Sequence, residues 1–67
     1  MSKIQSIVFS KNNFTKKQAV SWLKKHGYKT GVDEKPSTYR FRQLRPNKNK
    51  QYFAKRISNG ITFIFMQ

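Results

Sequence analysis

Short runs that are rich in apolar residues, or that alternate between apolar and polar ones, recur along this chain, and both patterns are typical of β-strands. Residues 4–9, IQSIVF, are rich in β-branched and aromatic types and predict a first strand. Residues 38–44 alternate aromatic with basic side chains and predict another strand. Two more strands are predicted over residues 51–58 and 61–67, and the stretch near 28–32 is a candidate for a short additional strand.

A helical period interrupts this alternation where the sequence reads FTKKQAVSWLKKHGY. Thr15 and Gln18 have the spacing of a capping box, in which each side chain bonds a backbone N–H group at the helix start. Gly27 supplies a residue that can end the helix in the left-handed conformation. The pattern therefore predicts a helix over residues 16–26 with one apolar face. That face comprises Ala19, Trp22, Leu23 and His26.

The pair Asn59-Gly60 favours a two-residue type I′ turn and predicts a C-terminal hairpin. Loop length fixes the register of a hairpin, so this turn also predicts which residues face each other. The three facing pairs expected from a regular hairpin are Ile57 with Thr62, Lys55 with Ile64, and Phe53 with Met66.

The predicted elements follow in the order strand, helix, and then an antiparallel meander of three or four strands. One helix can cover only one face of such a sheet. We therefore predict a two-layer α+β fold, with residues 1–67 forming a single domain. The second face of the sheet would then stay open.

The net charge limits the kinds of partner that this small domain is expected to bind. Fifteen Lys and Arg residues stand against two acidic residues, which gives a formal charge of +13 and a sequence pI near 10.7. The basic residues are spread along the whole chain, seven before residue 34 and eight after it. Such a charge repels itself in the free protein, and a polyanion would neutralise it. Nucleic acid, an anionic membrane surface and an acidic protein patch are the three candidate partners.

The segment TYRFRQLR indicates where a polyanion would bind. If Tyr39 and Phe41 face the helix, Arg40 and Arg42 lie on the open face, beside Lys and Arg of the neighbouring strand. Guanidinium groups bind phosphate in a bidentate manner, and exposed aromatic rings stack on unpaired bases. The candidate phosphate contacts on strands are Arg40, Arg42, Lys55 and Arg56, and the candidate stacking residues are Tyr52 and Phe53. In the alternative interpretation, all aromatics belong to the core and the arginines only solubilise the sheet.

Two further groups of basic residues are candidates for phosphate contacts. Arg45, Lys48 and Lys50 lie in RPNKNK, which is predicted to form a hairpin tip. A polar tip is also what any hairpin requires. The second group, on the helix face opposite the apolar one, comprises Lys17, Lys24 and Lys25. These lysines also suit a solvated helix face, and a basic last turn complements the helix dipole.

Catalysis and metal binding are not expected from this sequence. It has no cysteine and one histidine, His26, so neither a thiolate zinc site nor a histidine cage is predicted, and no cofactor is expected. Asp33 and Glu34 are adjacent in a loop, unlike the separated carboxylates of acid–base catalysis. No stretch has the apolar length of a signal peptide or a membrane span. We therefore expect an intracellular protein that is neither secreted nor an enzyme.

Two segments, KKQAVSWLKKHGYK and YRFRQLRP, together with the closing strand that begins Gly60-Ile61, resemble a small basic domain of uncharacterised phage and giant-virus proteins. That domain has an Ala-x-x-Trp-Leu helix and a His/Asn-Gly-Tyr/Phe-Lys exit from it. A Tyr-Arg-Phe-Arg strand followed by Pro and a closing Gly-Ile strand complete the pattern. The resemblance spans nearly the whole chain, which departs from the pattern in its high charge and in KNKQYF. It implies a viral setting, in the host cytoplasm or nucleus or packaged in a virion. Because the function of the domain is unknown, the resemblance assigns no binding role to any residue.

Three functional hypotheses follow from these patterns. The first is a non-enzymatic nucleic-acid-binding protein that contacts the backbone of DNA or RNA with weak sequence preference. The second is a small basic protein-binding module, or an inhibitor, that docks on an acidic host or virion protein. The third is a capsid-associated protein that forms a homodimer through the open face.

Overall fold

The fold is known from a computed structural model, which describes residues 2–67. Within these residues, five antiparallel strands form one sheet, and a single helix packs on one of its faces. The predicted α+β class, with its strand-helix-strand order, is therefore confirmed. The elements are β1 (Lys3–Ser10), α1 (Lys16–Lys25), β2 (Val32–Glu34), β3 (Thr38–Arg42), β4 (Tyr52–Ser58) and β5 (Ile61–Met66).

The sheet order is β2-β3-β1-β5-β4, so the first strand lies in the centre. The predicted meander is therefore wrong, because β1 and β5 separate β3 from β4. The centre suits β1, which carries the fully buried Ile7 and Phe9 and requires a partner strand on each side. The segment 43–51 consequently crosses the end of the sheet from β3 to β4. It is not the tip of a hairpin.

Both ends of α1 follow local signals in the sequence. The Thr15 hydroxyl accepts a bond from the Gln18 N–H at 3.1 Å, and the Gln18 carboxamide oxygen accepts one from the Thr15 N–H at 2.9 Å. At the other end, Gly27 has a φ of 78°. The N–H groups of residues 27 and 28 donate to the carbonyls of Lys24 and Leu23, which completes a Schellman motif. The helix ends one residue earlier than predicted, because residue 26 is its C-cap.

The core lies between α1 and the sheet and is centred on Phe9. This ring makes edge-to-face contacts with Phe14, Trp22 and Phe41 at centroid distances of 5.0, 5.6 and 5.5 Å. The geometry is a favoured one for aromatic pairs. The buried hydrophobic residues are Ile7, Phe9, Ala19, Leu23, Phe41, Ile61 and Phe63.

The C-terminal hairpin turns at Asn59-Gly60 as predicted, but neither the turn type nor the register is the predicted one. A type I′ turn requires a positive φ at both residues, and of the two only Gly60 has it. Ser58 faces Ile61 across Asn59-Gly60, as a two-residue turn requires. A β-bulge at Ile57 then shifts every later pair by one residue. The three predicted facing pairs are therefore wrong, and the observed pairs are Arg56 with Thr62, Lys55 with Phe63, Ala54 with Ile64, Phe53 with Phe65, and Tyr52 with Met66.

Candidate nucleic-acid interface

The sheet face that points away from α1 is called the open face here. Phe9, Phe41 and Phe63 belong to the core beneath α1, so their neighbours along each strand point to the opposite side. Cross-strand pairing extends this assignment to β4. The strand residues that form the centre of the open face are Ser6, Val8, Arg40, Arg42, Tyr52, Ala54, Arg56, Thr62 and Ile64.

Arg40 and Arg42 lie on the open face, as the alternation in TYRFRQLR predicted. The basic residues of β4, in contrast, do not lie beside them. Arg56 shares a cross-strand row with Arg40, but Val8 and Thr62 separate the two. Three strand spacings of about 4.8 Å place Arg56 on the order of 14 Å from Arg40. The expectation that these residues occupy neighbouring strands is therefore wrong.

A groove of about 360 Å³ crosses the open face, and each of the five strands contributes at least one residue to its lining. One end of the groove is basic and the other end is largely apolar. The basic end is formed by Lys35, Arg40 and Arg42, together with Asp33. The remaining lining residues are Gln5, Pro46, Tyr52 and Ile64. A second depression of about 350 Å³ also has Arg40 and Arg42 in its wall, so the basic end continues toward β2.

Hydrogen bonds hold Arg40 against the sheet. Its Nε donates to the Ser6 hydroxyl at 3.3 Å, and its Nη2 donates to the Gln5 carboxamide oxygen at 3.5 Å. Ser6 and Gln5 are themselves buried and bonded to each other, at a bulge in β1. Arg42 differs, because it is exposed and no side-chain hydrogen bond or ion pair within residues 2–67 engages it. The site thus combines one oriented guanidinium group with one that is available to a ligand.

Tyr52 is fixed at the apolar end of the groove. Its hydroxyl donates to the Asn47 carbonyl at 2.9 Å and accepts from the Asn47 N–H at 2.5 Å. These bonds tie β4 to the loop 43–51, which also supplies Pro46 to the groove wall. Because the loop carries Arg45, Lys48 and Lys50, all exposed, it brings further positive charge to this end of the sheet.

Two carboxylates lie on β2, and only one of them faces the groove. Asp33 is opposite Arg40 and forms an ion pair with Lys35 at 3.3 Å. Glu34 points to the other side of the strand and binds Lys11 at 2.9 Å. The hydrogen bond and the charge of Lys11 hold the pKa of Glu34 below its ordinary value. The basic end of the groove therefore has three cationic side chains and one carboxylate.

The remaining candidate residues lie outside the groove. Lys55 is opposite Phe63, on the helix side of the sheet. Phe53 lies on that side too and stacks on Phe65 at 5.2 Å, so the two predicted stacking residues occupy opposite faces of β4. Lys17, Lys24 and Lys25 are exposed on α1, in the layer opposite the open face.

Sequence reasoning missed five groove residues: Gln5, Asp33, Lys35, Pro46 and Ile64. If the bulge at Ile57 had been recognised, the register of the C-terminal hairpin would have paired Ile64 with Ala54. The other residues come together only because β1 is central and the loop crosses the end of the sheet. No local sequence pattern encodes that arrangement.

Comparison of the chain with protein-family models, with curated proteins and with solved structures found no match. The resemblance to phage and giant-virus proteins therefore stays a prediction. Across residues 2–67, no helix has both the length and the apolar character that a membrane crossing requires. In the same part of the chain, no three side chains of His, Cys, Asp or Glu are grouped so that they could hold a metal ion.

Proposed function

We propose that this protein is a non-enzymatic nucleic-acid-binding protein whose open face contacts the sugar-phosphate backbone. The observation that carries this proposal is the groove whose basic end holds both Arg40 and Arg42. Backbone contacts imply weak sequence preference and a steep dependence of affinity on salt. The sequence resemblance supports a viral setting for this activity, inside the host cell or in the virion.

The distribution of charge supports a local site on this face as well as a general attraction. The +13 charge would draw any polyanion toward the molecule, whichever side it approaches. The guanidinium group of Arg42, which has no side-chain partner within residues 2–67, can then donate two hydrogen bonds to a phosphate group. Arg40 is already oriented by its bond to Ser6. Pre-ordered donors lose less conformational entropy when a ligand binds than mobile surface lysines do.

Fluorescence anisotropy with labelled single- and double-stranded DNA and RNA at 50 and 200 mM salt tests the proposal. The informative variant is Arg40→Gln with Arg42→Gln, which removes the two guanidinium charges of the groove on the open face. Its matched control is Lys24→Gln with Lys25→Gln, which removes two charges from α1. We expect the open-face variant to lose far more affinity than the control. Its plot of log K against log salt should flatten by about two units, one for each lost phosphate contact.

Two results would contradict this proposal. Equal losses in the two variants would mean that net charge alone attracts nucleic acid, without a site on the open face. Absence of wild-type binding to every nucleic acid at 200 mM salt would reject the function itself.

A protein-binding role is the second candidate, and β4 is the observation that favours it. Within residues 2–67 this strand pairs only with β5, all seven of its residues are exposed, and Phe53 and Ile57 are each more than 40% accessible. An outer strand with free backbone groups can pair with an extended segment of another protein, and the positive charge would select an acidic one. This candidate predicts pairing through β4 and no tight binding to naked nucleic acid.

A further inference from the structure

We infer that the groove on the open face takes an unpaired nucleotide, so that the protein prefers single-stranded to double-stranded nucleic acid. This inference rests on the proposed function and specifies its ligand. The phosphate would lie at the Arg40–Arg42 end, and a base would lie toward Tyr52.

The groove has the two unlike ends that a nucleotide has. Guanidinium groups occupy one end, whereas Ile64, Pro46 and the ring of Tyr52 line the other. A ligand that is uniformly charged would leave the apolar end unused, and a purely apolar ligand would leave the arginines unused. An unpaired strand carries both phosphates and flat, largely apolar bases, so a short segment of it offers a suitable group to each end.

The dimensions also favour an extended single strand. The groove runs across the strands, from Arg42 on β3 to Tyr52 on β4. These strands are three spacings apart, so the site spans on the order of 14 Å. Bases in a duplex are paired and stacked on each other, so they cannot turn a face toward a protein ring without leaving the helix. Single strands stack their bases on aromatic side chains at no such cost.

The ring of Tyr52 is held in place while part of it stays exposed. Its hydroxyl both donates to and accepts from the backbone of Asn47, so the ring is held by the loop while 41% of the residue stays exposed. The opposite face of the same strand presents Phe53, which is equally exposed at 41% but stacks on Phe65 outside the groove. The two neighbours thus form a matched pair, with one residue in the proposed site and one outside it.

The test compares three labelled probes of equal length: a single-stranded oligothymidylate, an abasic phosphodiester and a DNA duplex. We expect the wild-type protein to bind the single strand more tightly than the duplex. We also expect it to bind the single strand at least about five-fold more tightly than the abasic probe, the lower bound for one stacked base. Tyr52→Ala should abolish this difference. Tyr52→Phe keeps the ring but loses its two bonds to Asn47, so it should retain part of the difference. Phe53→Ala should preserve the difference in full. Circular dichroism checks that each variant is folded.

The outcomes show whether the inferred ligand class fails alone or together with the proposed function. Equal wild-type affinity for all three probes would overturn the inference and leave a backbone-binding protein. The wild-type comparison decides this point even if Tyr52→Ala fails to fold. Equal losses in Tyr52→Ala and Phe53→Ala would also overturn it, because no groove-specific contact would remain. Absence of binding to any probe would overturn the proposed function and the inference together.

Discussion

At the scale of single residues, two glycines with nearly the same backbone conformation differ in their surroundings. Gly27 and Gly60 have φ angles of 78° and 80°, in the region that L-residues rarely adopt. A Cβ at Gly27 would meet nothing within 4 Å, whereas a Cβ at Gly60 would lie 2.6 Å from the Cβ of Asn13. The turn of the hairpin thus packs directly against the loop that follows β1.

Substitutions at these two glycines separate the energetic cost of backbone strain from that of a steric clash. Gly27→Ala should cost about 1–2 kcal/mol of unfolding free energy, since only the left-handed conformation is penalised. Gly60→Ala should cost more, because Asn13 must also move. Urea denaturation followed by circular dichroism measures both values. In an Asn13→Gly background the excess cost at Gly60 should disappear, and equal costs of the two substitutions in the wild-type background would refute the steric contact.

At the scale of elements, α1 depends on its N-terminal cap. The side chain of Thr15 satisfies the N–H of Gln18, one of four donors at the helix start that have no partner within the helix. The helix has only ten residues, and isolated helices of that length are marginal in water. Capping and packing must therefore compensate for an unfavourable local equilibrium.

Thr15→Ala should lower the free energy of unfolding by about 1 kcal/mol, the typical cost of losing a cap. The matched control is Ser21→Ala, at an exposed position inside the same helix. It should be neutral or slightly stabilising, because alanine has the higher helix propensity. Thermal unfolding measured by circular dichroism compares the two variants. If both shift the midpoint equally, the hydrogen bonds of the cap contribute nothing to stability.

The elements show which features a sequence encodes locally. The capping box at the start of α1, the glycine that follows its end and the position of the turn at Asn59-Gly60 depend on residues a few positions apart, and those predictions are confirmed. The register of β4 depends on whether Ile57 bulges, which its own side chain does not reveal. The central position of β1 depends on which strand gains most stability from pairing along both of its edges. The packing of the complete fold determines this, and no single segment does. The alternation of side chains along β3 therefore predicted that Arg40 and Arg42 lie on the open face. The residues on the other side of the groove could be predicted only from the strand order of the sheet.

At the scale of the whole molecule, charge and size act together. The domain extends 33 × 22 × 20 Å and carries a formal charge of +13. The Debye length is about 30 Å at 0.01 M salt, close to the longest of these dimensions, and about 10 Å at 0.1 M. At low salt every basic residue therefore repels all the others, whereas at 0.1 M only near neighbours interact. Only two ion pairs are found within residues 2–67 to offset this repulsion.

The midpoint of thermal unfolding should therefore rise between 0.01 and 0.1 M sodium chloride. Each 1 kcal/mol of relieved repulsion corresponds to about 4–8 °C in a domain of this size. Lys48→Gln with Lys50→Gln is the matched variant, because both residues are exposed on a loop outside the core. It should melt at a higher temperature than wild type in 0.01 M salt and respond less to added salt. A wild-type midpoint that falls as salt is added would show that attractive charge pairs outweigh the repulsion, and the electrostatic reason for a polyanionic ligand would then be lost.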